Sequence, residues 1–191
     1  MTVNPYDIQP MQPQGSPQAS LFRAVGRSLS AWEYMEYELS KLYEELIGAR
    51  TDGAGAGYGT LISGAARLQL VSQAAEYFPA ATPGSRKEIM DALKLVEKFG
   101  ARRNDIAHGV CSKVKDHSGW YLIPTWYDTR KSPRGFEMYS KKFNFGVGLY
   151  AYNVEQIDAY ADHFHAIRAR IEPLVSSCRD ELRAWFATLH E

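Results

Sequence analysis

Cysteine is scarce: Cys111 and Cys178 are the two in 191 residues, too few and too far apart for a disulfide framework or a thiolate metal site. Both read as small buried apolar side chains in a reducing compartment. Net charge is absent as well. The 22 basic residues are matched by 22 acidic ones, so no global positive field points to nucleic acid, and any such site has to be local. No apolar run approaches the roughly 18 to 20 residues of a membrane helix, and the N-terminus shows no basic stretch followed by an apolar one. These absences argue against a membrane partner and lead us to expect a cytoplasmic protein. Internal repeats are missing too. The glycines at 53, 55, 57 and 59 of TDGAGAGYG match neither the dinucleotide-binding fingerprint nor the Walker spacing, and no strand precedes them. A flexible connection is expected there, and no cofactor.

What the chain does contain is helical periodicity. Residues 1–19, rich in Pro, Gln and Ser, read as a flexible tail, and residues 20–191 as a single domain. From Leu21, apolar residues at Val25, Leu29, Trp32, Leu39, Tyr43 and Leu46 predict a first helix ending before Gly48. Leu61, Ala65, Leu68, Val71, Ala75 and Phe78 predict a second over about 60–78. A third starts near Ser85, with Ser85 and Glu88 as a capping box, and carries Ile89, Leu93, Val96 and Gly100 on one stripe. The period then changes. Segments rich in β-branched and aromatic residues over about 110–151 read as two or three antiparallel strands. Asn153 with Gln156 opens a last long helix, facing inward through Ile157, Phe164, Ile167, Ile171, Leu174, Cys178, Leu182 and Trp185, with Pro173 expected to kink it. The expectation is an all-α fold: a four-helix bundle with a small antiparallel β insertion before the last helix.

The third helix ends in RRNDIAHG, residues 102–109. At about 100° per residue, the stripe that descends from Ile89 through Leu93, Val96 and Gly100 lands on Arg103. An arginine stands where a leucine is expected. An unpaired buried guanidinium is costly, so Arg103 has to meet a carboxylate, a subunit interface or an anion-binding cleft. Asn104 and His108 lie one turn apart beside that stripe, within reach of Arg103. His108 falls in the last turn, at the negative end of the helix dipole, and Gly109 follows as a helix C-cap. A histidine beside a fixed cation is the equipment for acid–base chemistry on a phosphodiester.

The run Arg103, Asn104, three residues, His108, continuing as Ala-His-Gly, resembles the signature of the HEPN superfamily, helical domains that carry this motif late in a bundle. The resemblance implies a metal-independent endoribonuclease of toxin or defence type. It further implies a homodimer whose two motifs meet across one cleft, RNA as substrate, and an antitoxin or defence partner protein. In that scheme His108 moves the proton of a ribose 2′-hydroxyl or of the leaving oxygen, Arg103 stabilises the transition-state phosphate, and Asn104 orients them. The products carry a 2′,3′-cyclic phosphate. Members paired with a nucleotidyltransferase antitoxin often have a tyrosine two residues after the histidine; here Val110 stands there, so neutralisation by that route is not expected.

Secondary candidates surround the motif. Arg102 is a second phosphate contact or a solvated surface residue. Glu36, on the apolar stripe of the first helix, is a partner for Arg103 or an edge residue reaching water. His163 and His165 are two apart on a helix, so on different faces, which is poor metal geometry. His117 reads as a turn residue. Arg130, Lys131, Arg134, Lys141 and Lys142 interleave with aromatics in a pattern that suits RNA stacking or an ordinary sheet core. The alternative to catalysis is a helical interaction module, or a dimer that binds a nucleotide or another anion through Arg103 and His108.

Overall fold

Heptad-like apolar spacing over 28 residues makes α1 (Ala19–Leu46), but its buried line runs through Leu21, Ala24, Ser28, Met35, Leu39, Leu42 and Leu46. Val25, Leu29 and Tyr43, expected at the centre of the stripe, lie on its half-buried flank. The helix closes as a Schellman motif: Gly48, at φ 65°, donates to the Glu45 carbonyl at 3.0 Å and Ala49 to that of Glu44 at 3.1 Å. This computed structural model describes residues 17–49, 51–113, 118–123 and 151–189.

The glycine-rich segment is a helix, α2 (Asp52–Thr60), and not the flexible connection that its composition predicts. Each glycine weakens a helix by about 1 kcal/mol relative to alanine. Two anchors offset that cost. The Thr51 hydroxyl accepts from the Ala54 N–H at 3.2 Å, and Tyr58 is buried with its hydroxyl donating to Glu36 at 3.0 Å. α3 (Gly64–Glu76) is shorter than expected, capped by the Ser63 side chain. α4 (Pro83–Ala107) starts earlier than expected: Thr82 is its cap, accepting from the Ser85 N–H at 3.1 Å, and Pro83 occupies the first turn, where its missing N–H costs nothing. The Ser85 hydroxyl instead donates to Glu181 on the last helix at 3.0 Å.

Two short strands follow, β1 (Val110–Ser112) and β2 (Tyr121–Ile123), paired antiparallel with Cys111 opposite Leu122. Tyr152 pairs with Leu122 on its other side, at 2.8 and 2.9 Å, so the chain re-enters the helical body beside the point at which it left. The last helix, α5 (Val154–Thr188, 35 residues), opens with the expected capping box of Asn153 and Gln156. It runs as one helix through Pro173, which lies on its exposed face, where the lost backbone bond is open to water. Leu182 and Trp185, expected inside, are half-buried.

The fold is mainly helical with a small antiparallel sheet, and α1 against α5 is its most extensive contact. Trp32 meets Phe164 edge-on between them, ring centroids 5.1 Å apart. Among the described residues the apolar interior has two main parts, beside a small third of Ile123 and Ala151. The larger lies among α1, α3, α4 and α5; the smaller, built from Leu21, Ala24, Ile106, Leu122, Tyr152 and Ile157, lies where the sheet meets the helices. No helix of the described residues is long and apolar enough to cross a membrane. The expected tail up to residue 16, His117 and the basic and aromatic stretch at 130–142 lie outside the described residues.

Candidate functional site

The two cores explain what happens at the end of α4. Ile89, Leu93 and Val96 bury as expected, but from there a second line takes over, through Phe99, still against the larger core, and Arg102 to Ile106 in the smaller one. The three-and-four step that leads to Arg103 leads equally well to Arg102. The helix therefore ends with two arginines pointing to different places.

Arg103, Asn104 and His108 line one cleft of about 720 Å³ between α1, α3 and α4. Its apolar floor includes Trp32, Leu39, Leu68 and Val96, and Gly100 rests on the Trp32 ring, where a Cβ would lie 3.8 Å from Cη2. Asn104 and His108 are exposed, and Arg103 keeps 32% of its side chain accessible. His108 is the C-cap of α4, its backbone N–H donating to the Asn104 carbonyl at 3.0 Å. Arg103 donates to Asn104 Oδ1 at 3.4 Å, and it makes no hydrogen bond to His108. Its Nε is buried and finds no acceptor among the described residues.

The carboxylate that meets Arg103 is Glu33, at 3.2 Å, and not Glu36. Glu36 lies one turn further along α1 on the same wall, but it is taken by Tyr58 at 3.0 Å and by Arg67 at 3.5 Å. Burial and the neighbouring Glu36 charge push the Tyr58 phenol up, so it stays a donor to Glu36. Arg67 is further held by the Leu61 carbonyl at 2.8 Å and stacks its guanidinium over the Tyr58 ring at 5.5 Å. Arg67 and Glu33 are cleft residues that sequence reasoning missed. For Arg67 the signal was present: it stands one turn before Val71, on the stripe that continues to Ala75 and Phe78, just as Arg103 stands on the stripe of α4. Glu33 carries no such signal, being one of several glutamates on α1.

Arg102 does not line the cleft. Its guanidinium points to the smaller core, donating to Asp105 at 2.8 Å and to the Tyr152 hydroxyl at 2.8 Å, while Tyr152 donates to Asp105 at 3.0 Å. Burial opposes the Arg102 charge, yet Tyr152 and Asp105 outweigh it and hold the guanidinium's pKa above its usual value. Arg102 is therefore not a solvated residue, and a phosphate would have to compete with Asp105 and Tyr152 for it. It ties the last turns of α4 to the point where the chain re-enters.

Gly109 occupies the position after the C-cap, but without the left-handed backbone of a glycine cap. Close approach explains it: a Cβ would come to 2.8 Å from Leu122 Cδ1 and nearer still to Cγ. Two smaller readings fall into place. His163 is exposed and lies against the Phe99 ring, centroids 5.1 Å apart, and His165 is exposed. Cys178 is buried, its thiol pushed up to about 12 by burial and by the Glu181 and Glu45 charges, and burial also raises the half-buried Cys111. No family model, curated protein or solved structure matches the chain.

Proposed function

We propose that the protein is a metal-independent endoribonuclease of toxin or defence type, acting on RNA in the cleft at the end of α4. The observation that carries this reading is that Arg103, Asn104 and His108 open into one cleft, where a polar residue of the core would instead be closed off and paired. The remaining support is the resemblance of residues 102–109 to the HEPN signature, which also suggests the homodimer.

In the proposed reaction the His108 imidazole takes the proton of a ribose 2′-hydroxyl as its oxygen attacks phosphorus. The bond to the 5′-oxygen breaks, and the leaving oxygen takes a proton from water or from a second copy's motif. The products are a 2′,3′-cyclic phosphate and a 5′-hydroxyl. Arg103 meets the charge that builds on the non-bridging oxygens, and Asn104, touching Arg103, holds it or the phosphate in line. In a dimer the two clefts would supply a proton acceptor and a donor together. Purified protein should cleave single-stranded RNA with a chelator present and leave cyclic-phosphate ends, and His108→Ala should not. Analytical ultracentrifugation should show dimer at micromolar concentration.

One observation favours a second reading. Arg103 already holds a carboxylate, as an arginine does when it supports an interaction surface or waits for an anion. A non-catalytic module, or a dimer that binds a nucleotide or another anion, would bind at this cleft without producing new RNA ends. End-group analysis separates the two.

A further inference from the structure

The cleft is not simply basic. Arg67, Arg103 and His108 share it with Glu33, Glu36 and Glu97, so its formal charges nearly cancel. The two ion pairs within it differ in kind. Arg67–Glu36 is closed: both side chains are mostly buried, with exposures of 26% and 9%, and Tyr58 and the Leu61 carbonyl add hydrogen bonds. Arg103–Glu33 is open. Glu33 is 61% exposed and is bonded to one terminal nitrogen of Arg103, whose other terminal nitrogen has only a long contact to Asn104 among the described residues.

We infer that Glu33 is the counter-ion that a substrate phosphate replaces on Arg103, and so sets how tightly the cleft holds an RNA phosphate. The inference rests on the proposed RNA-binding role of the cleft. A guanidinium offers five donors in a fixed fork, and Glu33 occupies one side of it through a single bond. A phosphate has the geometry to engage the fork with two oxygens, which a singly bonded carboxylate does not do here. An exposed ion pair is weak, so Glu33 yields at small cost. Glu36 cannot take the same part: its replacement would leave Arg67 and Tyr58 without their common acceptor.

Binding of a short single-stranded RNA with 2′-fluorine in place of its 2′-hydroxyls, which cannot be cleaved by internal attack, tests this. Glu33→Gln should tighten binding by about threefold or more, the scale of an exposed ion pair. The gain should vanish when Arg103 is also replaced, by Ala or by the longer Gln should Ala disturb folding. Glu97→Gln, on the same cleft but not bonded to Arg103, supplies the comparison, since an effect of charge through space alone would survive loss of Arg103. Unchanged or weaker binding by Glu33→Gln, or a gain that persists without Arg103, overturns the inference. Wild-type binding that Arg103→Ala abolishes but Glu33→Gln does not improve refutes the role of Glu33 alone. No binding by any form refutes that role and the RNA reading together.

Discussion

Arg102 and Arg103 are neighbours in sequence with the same side chain, and folding treats them in opposite ways. Arg102 is turned into the smaller core, where Asp105 and Tyr152 close a three-membered network around it. Arg103, about 100° further round the helix, meets a cleft, one exposed glutamate and a distant amide. A guanidinium whose donors are met by the fold is part of the fold. One left with donors facing an open cleft is equipped to bind something else. The difference arises from packing on two sides of α4, since α1 and α3 cover one side and the sheet and the start of α5 the other.

The sharpest way to break this comparison is to truncate each arginine in turn. Arg102→Ala takes the Arg102 charge away from buried Asp105 and should lower stability by about 3 kcal/mol. For a chain of this size that is a fall in Tm of roughly 6 to 12 °C. Arg103→Ala removes an exposed pair and should cost no more than about 1 kcal/mol. Equal losses in urea or thermal unfolding would remove the distinction. His108→Ala comes next and should read in activity alone: RNA cleavage falling about 100-fold or more, with Tm nearly unmoved because the imidazole is exposed. Gly109→Ala tests the other side of the motif. Its added methyl overlaps Leu122, so stability should drop by about 2 kcal/mol, and the double change with Leu122→Ala should cost less than the sum of the two single changes. Tyr152→Phe takes one hydroxyl from the Arg102 network and should cost about 1 kcal/mol in unfolding while the cleft residues keep their places.

Much of the helical framework was legible because periodicity reports burial, and the capping box at Asn153 and Gln156 marked the start of α5 to the residue. The three motif residues on one cleft were legible for the same reason, since Arg103 broke an apolar stripe. What could not be read was the choice between stripes. Positions 100 and 103 continue the spacing of Val96 as well as 99 and 102 do, and only the position of Tyr152, some fifty residues later, decides which arginine goes inside. The Glu36 pairing failed in a similar way. Glu33 and Glu36 share a face of α1, and the choice of partner depended on Arg67 and Tyr58, which belong to helices whose approach no local pattern encodes. α2 was lost to its glycines, because tertiary contacts of Tyr58 outweigh local propensity.

The pairing of Leu122 with Tyr152 has an architectural consequence. Because residues 122 and 152 are hydrogen-bonded neighbours, the span between them begins and ends at one point on the helical body. The entropy of closing such a span grows only with the logarithm of its length, about 0.6 kcal/mol for each doubling. On closure entropy alone, the number of residues between that pair weighs little, while the pair itself sits one strand away from His108. The backbone bonds of Leu122 and Tyr152 thus pin two distant points of the chain together beside the motif, whatever length of chain joins them.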